Sequence, residues 1–334
     1  MSITSKEIAK GLGLSPSAVS LALNNKPGVS SETRELVLAY AEKHGYEFKR
    51  KYNGSNKLNI IFIIYQEFPV ALDYHIISVE MLDGITEMCQ KNNCKLNTIK
   101  INPNDNSLDD CIADIRLNPV DGILLLGTSI SEKIVKQFTN LKIPMVLLDC
   151  PLDCVDCSRV SINNVQGSYA ATNYLIQMRK KQPGYLASSI RLNNFIDREI
   201  GFKKALEDNG LSYSQSIIQK ISPSIDGAFA DFMSILESGG PIADCYFADN
   251  DLLAIGTMKA LLAKGYRIPE DVGIVGFDNI EFCHLLNPSL SSIAFSRKFI
   301  GQISTDILIQ KISNNKQPNV KLQVDTRLVK RCSV

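Results

Sequence analysis

Three short amphipathic stretches open the chain, and a longer alternation of apolar runs and helical periodicities follows them. Thr4-Ser-Lys-Glu7 has the form of a capping box, with Ile8, Ala9 and Leu12 behind it on one helical face. Gly11-Leu-Gly13 breaks this helix. Ser15, an N-cap whose hydroxyl can accept from a free backbone N–H, starts the next one with Pro16 in its first turn. Val19 and Leu23 share a face, and Asn24-Asn25 can close the end. A third helix begins at Ser30, carries Glu32 where the dipole favours it, and runs through Val37, Leu38 and Ala41 to a stop at Gly45. Two short helices on a tight glycine turn, buttressed by a third, predict a helix-turn-helix; a generic three-helix bundle is the alternative.

Glu47 to Lys57, E-F-K-R-K-Y-N-G-S-N-K, has few core residues and reads as an exposed linker. From Leu58 the pattern changes. Strand-like runs fall at Leu58–Tyr65, Leu96–Ile101, Asp121–Leu126 and Pro144–Asp149, then at Tyr185–Ser188, Asp244–Ala248 and Val272–Phe277. Helical segments lie between them, among them Tyr74–Asn92, Val165–Lys180, Arg198–Asn209 and Asp251–Lys264. Short strands spaced by helices predict α/β architecture with doubly wound parallel sheets. Two sets, broken near Cys150–Arg159, predict two subdomains facing each other, with a ligand beyond the carboxyl ends of the strands.

Composition and charge refine this picture without redirecting it. A chain of 334 residues exceeds one ordinary core. The first ten residues contain no apolar run, and Ile60–Tyr65 is far shorter than the roughly 18 residues of a membrane span, so a cytoplasmic protein with no membrane partner is expected. Net charge is +1, yet residues 1–57 hold nine Lys/Arg against five Glu, leaving the rest at −3. A basic head on a mildly acidic body suits a nucleic-acid module on a regulatory or catalytic domain.

The one enzyme-like signal is Cys150-P-L-D-Cys154-V-D-Cys157, a C-x3-C-x2-C spacing that can hold an iron–sulfur cluster. It lies mid-chain, with no glycine-rich cofactor segment after it. The alternatives are three cysteines in a loop between subdomains, or a thiol redox role. No G-x-S-x-G, H-E-x-x-H, P-loop or dinucleotide fingerprint occurs, so neither an enzyme nor a cofactor is expected.

The residues in hand resemble the LacI/GalR family of bacterial transcriptional regulators over essentially the whole chain. The N-terminal match is I-T-S-K-E-I-A-K-G-L-G-L-S-P-S-A-V-S-L-A-L-N-N, then G-V-S-S-E-T-R-E-L-V and Gly45-Tyr46. Downstream come P-M-V-L-L-D at 144–149, N-N-V-Q-G at 163–167, R-E-I-G-F at 198–202, A-D-N-D-L-L-A-I-G at 248–256, V-G-I-V-G-F-D at 272–278 and P-S-L-S-S-I at 288–293. The resemblance implies a helix-turn-helix head at 1–46, a hinge at 47–57 and an effector-binding and dimerisation domain of periplasmic-binding-protein-like type at 58–334. Three crossings between subdomains would put about 58–160 and 293–320 in the first, and about 161–292 and 321–334 in the second. A homodimer on a pseudo-palindromic double-stranded operator follows, acting as a repressor under a small-molecule effector. No leucine-rich tail of the tetramer-forming kind follows, so a dimer is the expected assembly.

By position, Pro16, Ser17 and Leu21 occupy the base-reading places of the second helix. Many members carry Arg where Leu21 stands; Leu21 makes only apolar contact, for instance with a thymine methyl, so DNA shape must carry part of the specificity. The alternative is that Leu21 faces the core. Thr4, Ser15, Ser20, Asn24, Ser30 and Thr33 match phosphate-holding positions. The hinge departs from the family: it is about three residues shorter and reads Lys49-Arg50-Lys51-Tyr52, placing Tyr52 where members wedge a Leu into the minor groove. An ordinary basic linker is the other reading. In the cleft, Arg198, Asn250 and Asp278 match ligand-contacting positions, with Asp149 a weaker match. An Arg fork beside carboxylate and amide groups suits sugar hydroxyls, and Phe195, Phe247 or Tyr74 could stack on a pyranose. Core packing is the stronger reading for Phe247, and a salt bridge closing the subdomain interface is the alternative for Arg198. A carbohydrate is the expected effector; purines and other metabolites also occur in the family. The competing classes are a solute-binding protein with no DNA role and an enzyme built on the cysteine trio.

Overall fold

The computed structural model describes residues 3–23, 28–44, 46, 57–67, 74–104, 107–118, 120–153, 155–314 and 317–334, with backbone alone at 42 and 74–78. The chain divides into a small unit carrying the first three helices and a large one carrying two sheets.

The small unit holds α1 (Ser5–Leu12), α2 (Pro16–Leu23) and α3 (Ser31–Lys43). Thr4 and Glu7 form the capping box at the start of α1, and Gly13 ends it in the left-handed region at φ 64°, where a side chain would be strained. Ser15 Oγ accepts from Ala18 N at 3.1 Å and starts α2. Ser30 Oγ does the same for Thr33 N at 3.2 Å at the head of α3. Ile8, Ala9, Val19, Ala22, Val37 and Ala41 are the buried core, with Leu12, Leu23 and Tyr40 packed on it. Gly11 is required by that packing, because a Cβ there would lie 2.2 Å from the Tyr40 hydroxyl.

The chain continues through β1 (Asn59–Tyr65), α4 (Tyr74–Lys91), β2 (Lys95–Ile101), α5 (Ser107–Leu117), β3 (Gly122–Leu126), α6 (Glu132–Thr139), β4 (Met145–Leu148) and β5 (Ser158–Ile162). Next come α7 (Asn164–Arg179), β6 (Gly184–Ser188), α8 (Asn193–Asp208), β7 (Ile218–Ile221), α9 (Ile225–Glu237), β8 (Cys245–Ala248), α10 (Asp251–Ala263), β9 (Gly273–Phe277), α11 (Phe282–Leu285) and β10 (Ser291–Ala294). The last elements are α12 (Arg297–Ser313), β11 (Lys321–Val324) and β12 (Arg327–Val329).

Two six-stranded sheets form, in the orders β11-β5-β4-β3-β1-β2 and β12-β10-β9-β8-β6-β7. Among the described residues, only β12 runs antiparallel to its neighbour. The central strands β3, β4, β6, β8 and β9 are buried throughout and accordingly read as unbroken apolar runs. The edges β2, β7, β11 and β12 mix exposed and buried positions, as edge strands must to avoid pairing with other chains.

The chain passes between the lobes after Ile162, after Ala294 and after Val324, which corrects the expected limits. Ile293 and Ala294 pair with the second sheet, not the first; Lys321–Val324 pairs with β5 in the first sheet, not the second. Helix α12 then packs across α4 on the first lobe, where two glycines set the spacing. A Cβ on Gly84 would meet the Lys298 carbonyl oxygen at 2.1 Å, and one on Gly301 the Met81 carbonyl oxygen at 2.2 Å.

Candidate functional site

In the head, Pro16, Ser17 and Ser20 are exposed on α2 while Val19 and Ala22 point inward. Leu21 is half-buried rather than part of the core; its Cδ1 lies 3.2 Å from where a Gly28 side chain would begin. The second helix thus presents proline, two hydroxyls and an apolar edge, with no charged side chain between Leu14 and Leu23. Ser15 and Ser30 sit at helix N-termini, where backbone N–H groups and the dipole favour a phosphate oxygen. Thr33 is bonded to Ser30, the hydroxyls being 3.0 Å apart. Thr4 is committed differently: its N–H and its hydroxyl both donate to Glu7 Oε2, at 2.8 and 2.7 Å. Asn24, Lys49, Arg50 and Tyr52 lie outside the described residues, as does the side chain of Tyr74.

In the large unit, α8 begins at Asn193, five residues before the expected start, so Asn194, Phe195 and Arg198 occupy the same two turns. Arg198 is 3% exposed and fully engaged. Its Nε donates to Asn164 Oδ1 at 2.9 Å, one Nη to the Asp249 carbonyl, and the other to Asp278 Oδ1 at 3.1 Å. The guanidinium lies 3.6 Å from the centre of the Phe277 ring and 5.5 Å from that of Phe195. Across from it, Asp149 accepts from Thr128 Oγ1 at 2.7 Å and from Asn194 Nδ2 at 3.0 Å. Burial pushes the Asp149 carboxyl up to about 6, against the pull of Thr128 and the Arg198 charge.

These groups enclose a cavity of only about 10 Å³, lined by Thr128, Asp149, Ile162, Asn194, Phe195, Arg198, Asp278 and Phe295. Its polar atoms are satisfied by one another, and the Asn194–Asp149 bond joins one lobe to the other. Any molecule entering this cavity would have to replace that bond with polar groups of its own. Backbone strain collects at the same place: Asp149 and Asp278 hold φ at 54° and 104°, values side chains rarely adopt.

Of the expected cleft residues, Asp149, Phe195, Arg198 and Asp278 come together. Asn250 does not join the cavity lining: it is the N-cap of α10, its Oδ1 accepting from Leu253 N at 3.1 Å. Phe247 packs against both Tyr185 and Phe202, which stack on each other, in the core. Thr128, Asn164, Asn194 and Phe295 escaped sequence reading. Asn164 lies in the N-N-V-Q-G stretch and Asn194 precedes Arg198 by one helical turn, signals that were available.

Cys154 is outside the described residues, while Cys150 and Cys157 are buried and held protonated by desolvation, at about 12 and 11. Thiols in that state are poor ligands and nucleophiles. Among the described residues no group of His, Cys, Asp or Glu is placed to hold a metal, and no helix is long and apolar enough to cross a membrane.

Residues 4–47 match the model of bacterial regulatory proteins of the lacI family, and residues 60–332 that of periplasmic binding proteins and the sugar-binding domain of the LacI family. The chain belongs to the LacI family. It is a DNA-binding, ligand-responsive transcriptional regulator, and the enzyme reading loses its support. Among relatives of this LacI-family chain, the HTH-type transcriptional repressor PurR of Pasteurella multocida is 26% identical over 340 residues, spanning 99% of this chain and 98% of that one. The fold is shared with a transcriptional regulator CelR–cellobiose complex (TM-score 0.75, 22% identity, 99% of this chain and 100% of that one). It is also shared with the lac repressor dimer bound to operator and an anti-inducer (TM-score 0.71, 21% identity, 100% and 99%).

Proposed function

We propose that this LacI-family regulator is a cytoplasmic repressor that grips a pseudo-palindromic operator as a homodimer and responds to a carbohydrate bound between its lobes. One observation carries the ligand side: Arg198, Asp278, Asp149 and Asn194, drawn from both lobes, converge on one cavity where a strained backbone holds the two carboxylates. Arg198 and Asp278 offer a fork and an acceptor for vicinal hydroxyls, Thr128 and Asn194 add a hydroxyl and an amide, and Phe195 supplies an apolar wall. The relatives support this class, since one is a complex with cellobiose. Asn250 acts on the site from behind, by capping α10.

On DNA, Ser17 and Leu21 read base edges, with Pro16 setting the helix start. Ser15, Ser20, Ser30 and Thr33 hold phosphates, joined by Asn24. Thr4 serves as a cap, and any phosphate contact from it requires Glu7 to turn away. Lys49, Arg50 and Tyr52 follow the backbone or the minor groove between the two heads.

Coupling follows from differential affinity. A ligand that replaces the Asn194–Asp149 bond changes the balance between lobe arrangements and thereby the operator affinity. The experiment is a thermal-shift screen of sugars and nucleobases, followed by operator binding with each hit. A hit is expected to change operator affinity at least fivefold in the wild type and not in Arg198→Lys, which keeps charge but loses the fork. A ligand response undiminished by Arg198→Lys would overturn this assignment of the site.

A further inference from the structure

A second, larger cavity of about 240 Å³ adjoins the first, the two sharing Asp278 and Phe295 in their walls. Its other lining groups include Arg297, Arg331, Glu80 and Glu281. Arg297 is unusual among them: only 3% exposed, it stands at the first position of α12 just after the second crossing between lobes. Buried arginines are ordinarily matched by a carboxylate at hydrogen-bond distance. Here Nη2 donates to the Asp278 carbonyl at 2.6 Å, but Nη1 finds its nearest carboxylate, Glu80, only at 3.8 Å, and buried Nε has no partner among the described residues. The guanidinium carbon lies over the Phe295 ring, 4.5 Å from its centre, a cation–π contact that supports the side chain without neutralising its charge.

The remaining charges do not satisfy it. Asp278 faces Arg198 with its carboxylate, and Arg331 is spent on the Leu290 carbonyl and Asn279 Oδ1, at 2.6 and 2.7 Å. Glu281 and His284 are exposed at the rim, and Glu80, at 3.8 Å, is 45% exposed. What is left is a desolvated, under-paired cation beside the cavity proposed above for the effector.

We infer that the effector is anionic: a sugar derivative bearing a phosphate or carboxylate, its hydroxyls against Arg198 and Asp149 and its anionic group on Arg297 in the adjoining cavity. A planar guanidinium fork recognises either oxyanion by charge-assisted bonds. This rests on the effector site proposed above and adds the charge of its ligand. Glu80 competes with the anion and is released when it binds.

The test uses the full chain without DNA, so its outcome is separate from that of operator binding. Inorganic phosphate is titrated by thermal shift against chloride at matched ionic strength, with gluconate, glucose 6-phosphate and glucose as further arms. Phosphate is expected to stabilise the wild type saturably, Arg297→Gln to weaken that binding on the order of tenfold, and Glu80→Gln to strengthen it severalfold. The opposite sign of the second variant separates binding from loss of structure. Among the organic probes, a phosphate arm above gluconate and glucose assigns a phosphorylated effector, and gluconate above the others assigns a carboxylate. General stabilisation by phosphate at the protein surface would be linear and equal in all three proteins. Equal responses in the three, or a glucose response matching both anionic sugars, would overturn the inference.

Discussion

Asn194 reaches from the second lobe to Asp149 of the first, its Nδ2 3.0 Å from Oδ1, and this bond closes the cavity that also holds Arg198. At the effector site proposed above, it is the bond that a ligand has to displace. Asn194→Ala should leave a buried carboxylate with Thr128 as its hydrogen-bond partner, at a cost of about 1–3 kcal/mol in unfolding free energy. Denaturant titration checks this, and an unchanged midpoint would show that the link contributes nothing.

Asp149 should also impose a pH dependence. Its carboxyl titrates near 6 when folded and near 3.8 when hydrated, because burial disfavours the charge. The folded protein therefore holds a proton that the unfolded chain has released. Stability from this group is full below about pH 4 and is lost as pH rises through about 6, by on the order of 3 kcal/mol. Asp249 and Asp251, raised to about 6 and 7 by the same cause, act in the same direction. Asp149→Asn should flatten part of the fall in stability between pH 4 and 7, and an unaltered slope would contradict it.

The crossing of α12 over α4 leaves no room for a side chain at Gly301, where a Cβ would sit 2.2 Å from the Met81 carbonyl oxygen. Because that atom is backbone, relief requires the helices to part. Gly301→Ala should destabilise the large unit by about 1–3 kcal/mol, despite the better helix propensity of alanine. Exposed Gly239, at φ 69° with no atom near, is the control: Gly239→Ala should cost less, through backbone strain alone.

In the head, Ser15 Oγ caps α2 through Ala18 N at 3.1 Å. Ser15→Ala should cost about 1 kcal/mol of head stability and weaken binding to all duplexes alike, because the contact proposed for it names no base. Leu21→Ala should instead narrow the gap between preferred and random duplex. Fluorescence anisotropy on both duplexes distinguishes the two effects.

The sequence made the central strands legible because strands buried on both faces must be continuously apolar, as Leu124–Leu126 and Val146–Leu148 are. The strands it hid are of another kind. In β5, Arg159 and two serines interrupt the run, and β7, β11 and β12 are short edges whose polar positions face solvent. Missing β10, whose two serines hide a buried strand, and β11 displaced the lobe limits, since the one belongs to the second sheet and the other completes the first. Arg198 and Asp278 stood out as charged groups inside recognisable motifs. Thr128 and Phe295 did not, because an isolated threonine or phenylalanine has no local signature and acquires its place only when the lobes close. Asn250 has a local task that its motif did not announce: an asparagine heading an apolar helix is first of all a cap.

The most direct test of the account is selection of bound duplexes from a random pool by the full chain at moderate ionic strength, followed by sequencing. The account requires enrichment of one motif with approximate two-fold symmetry, its half-sites matching two copies of the head. Enrichment of no motif would contradict it.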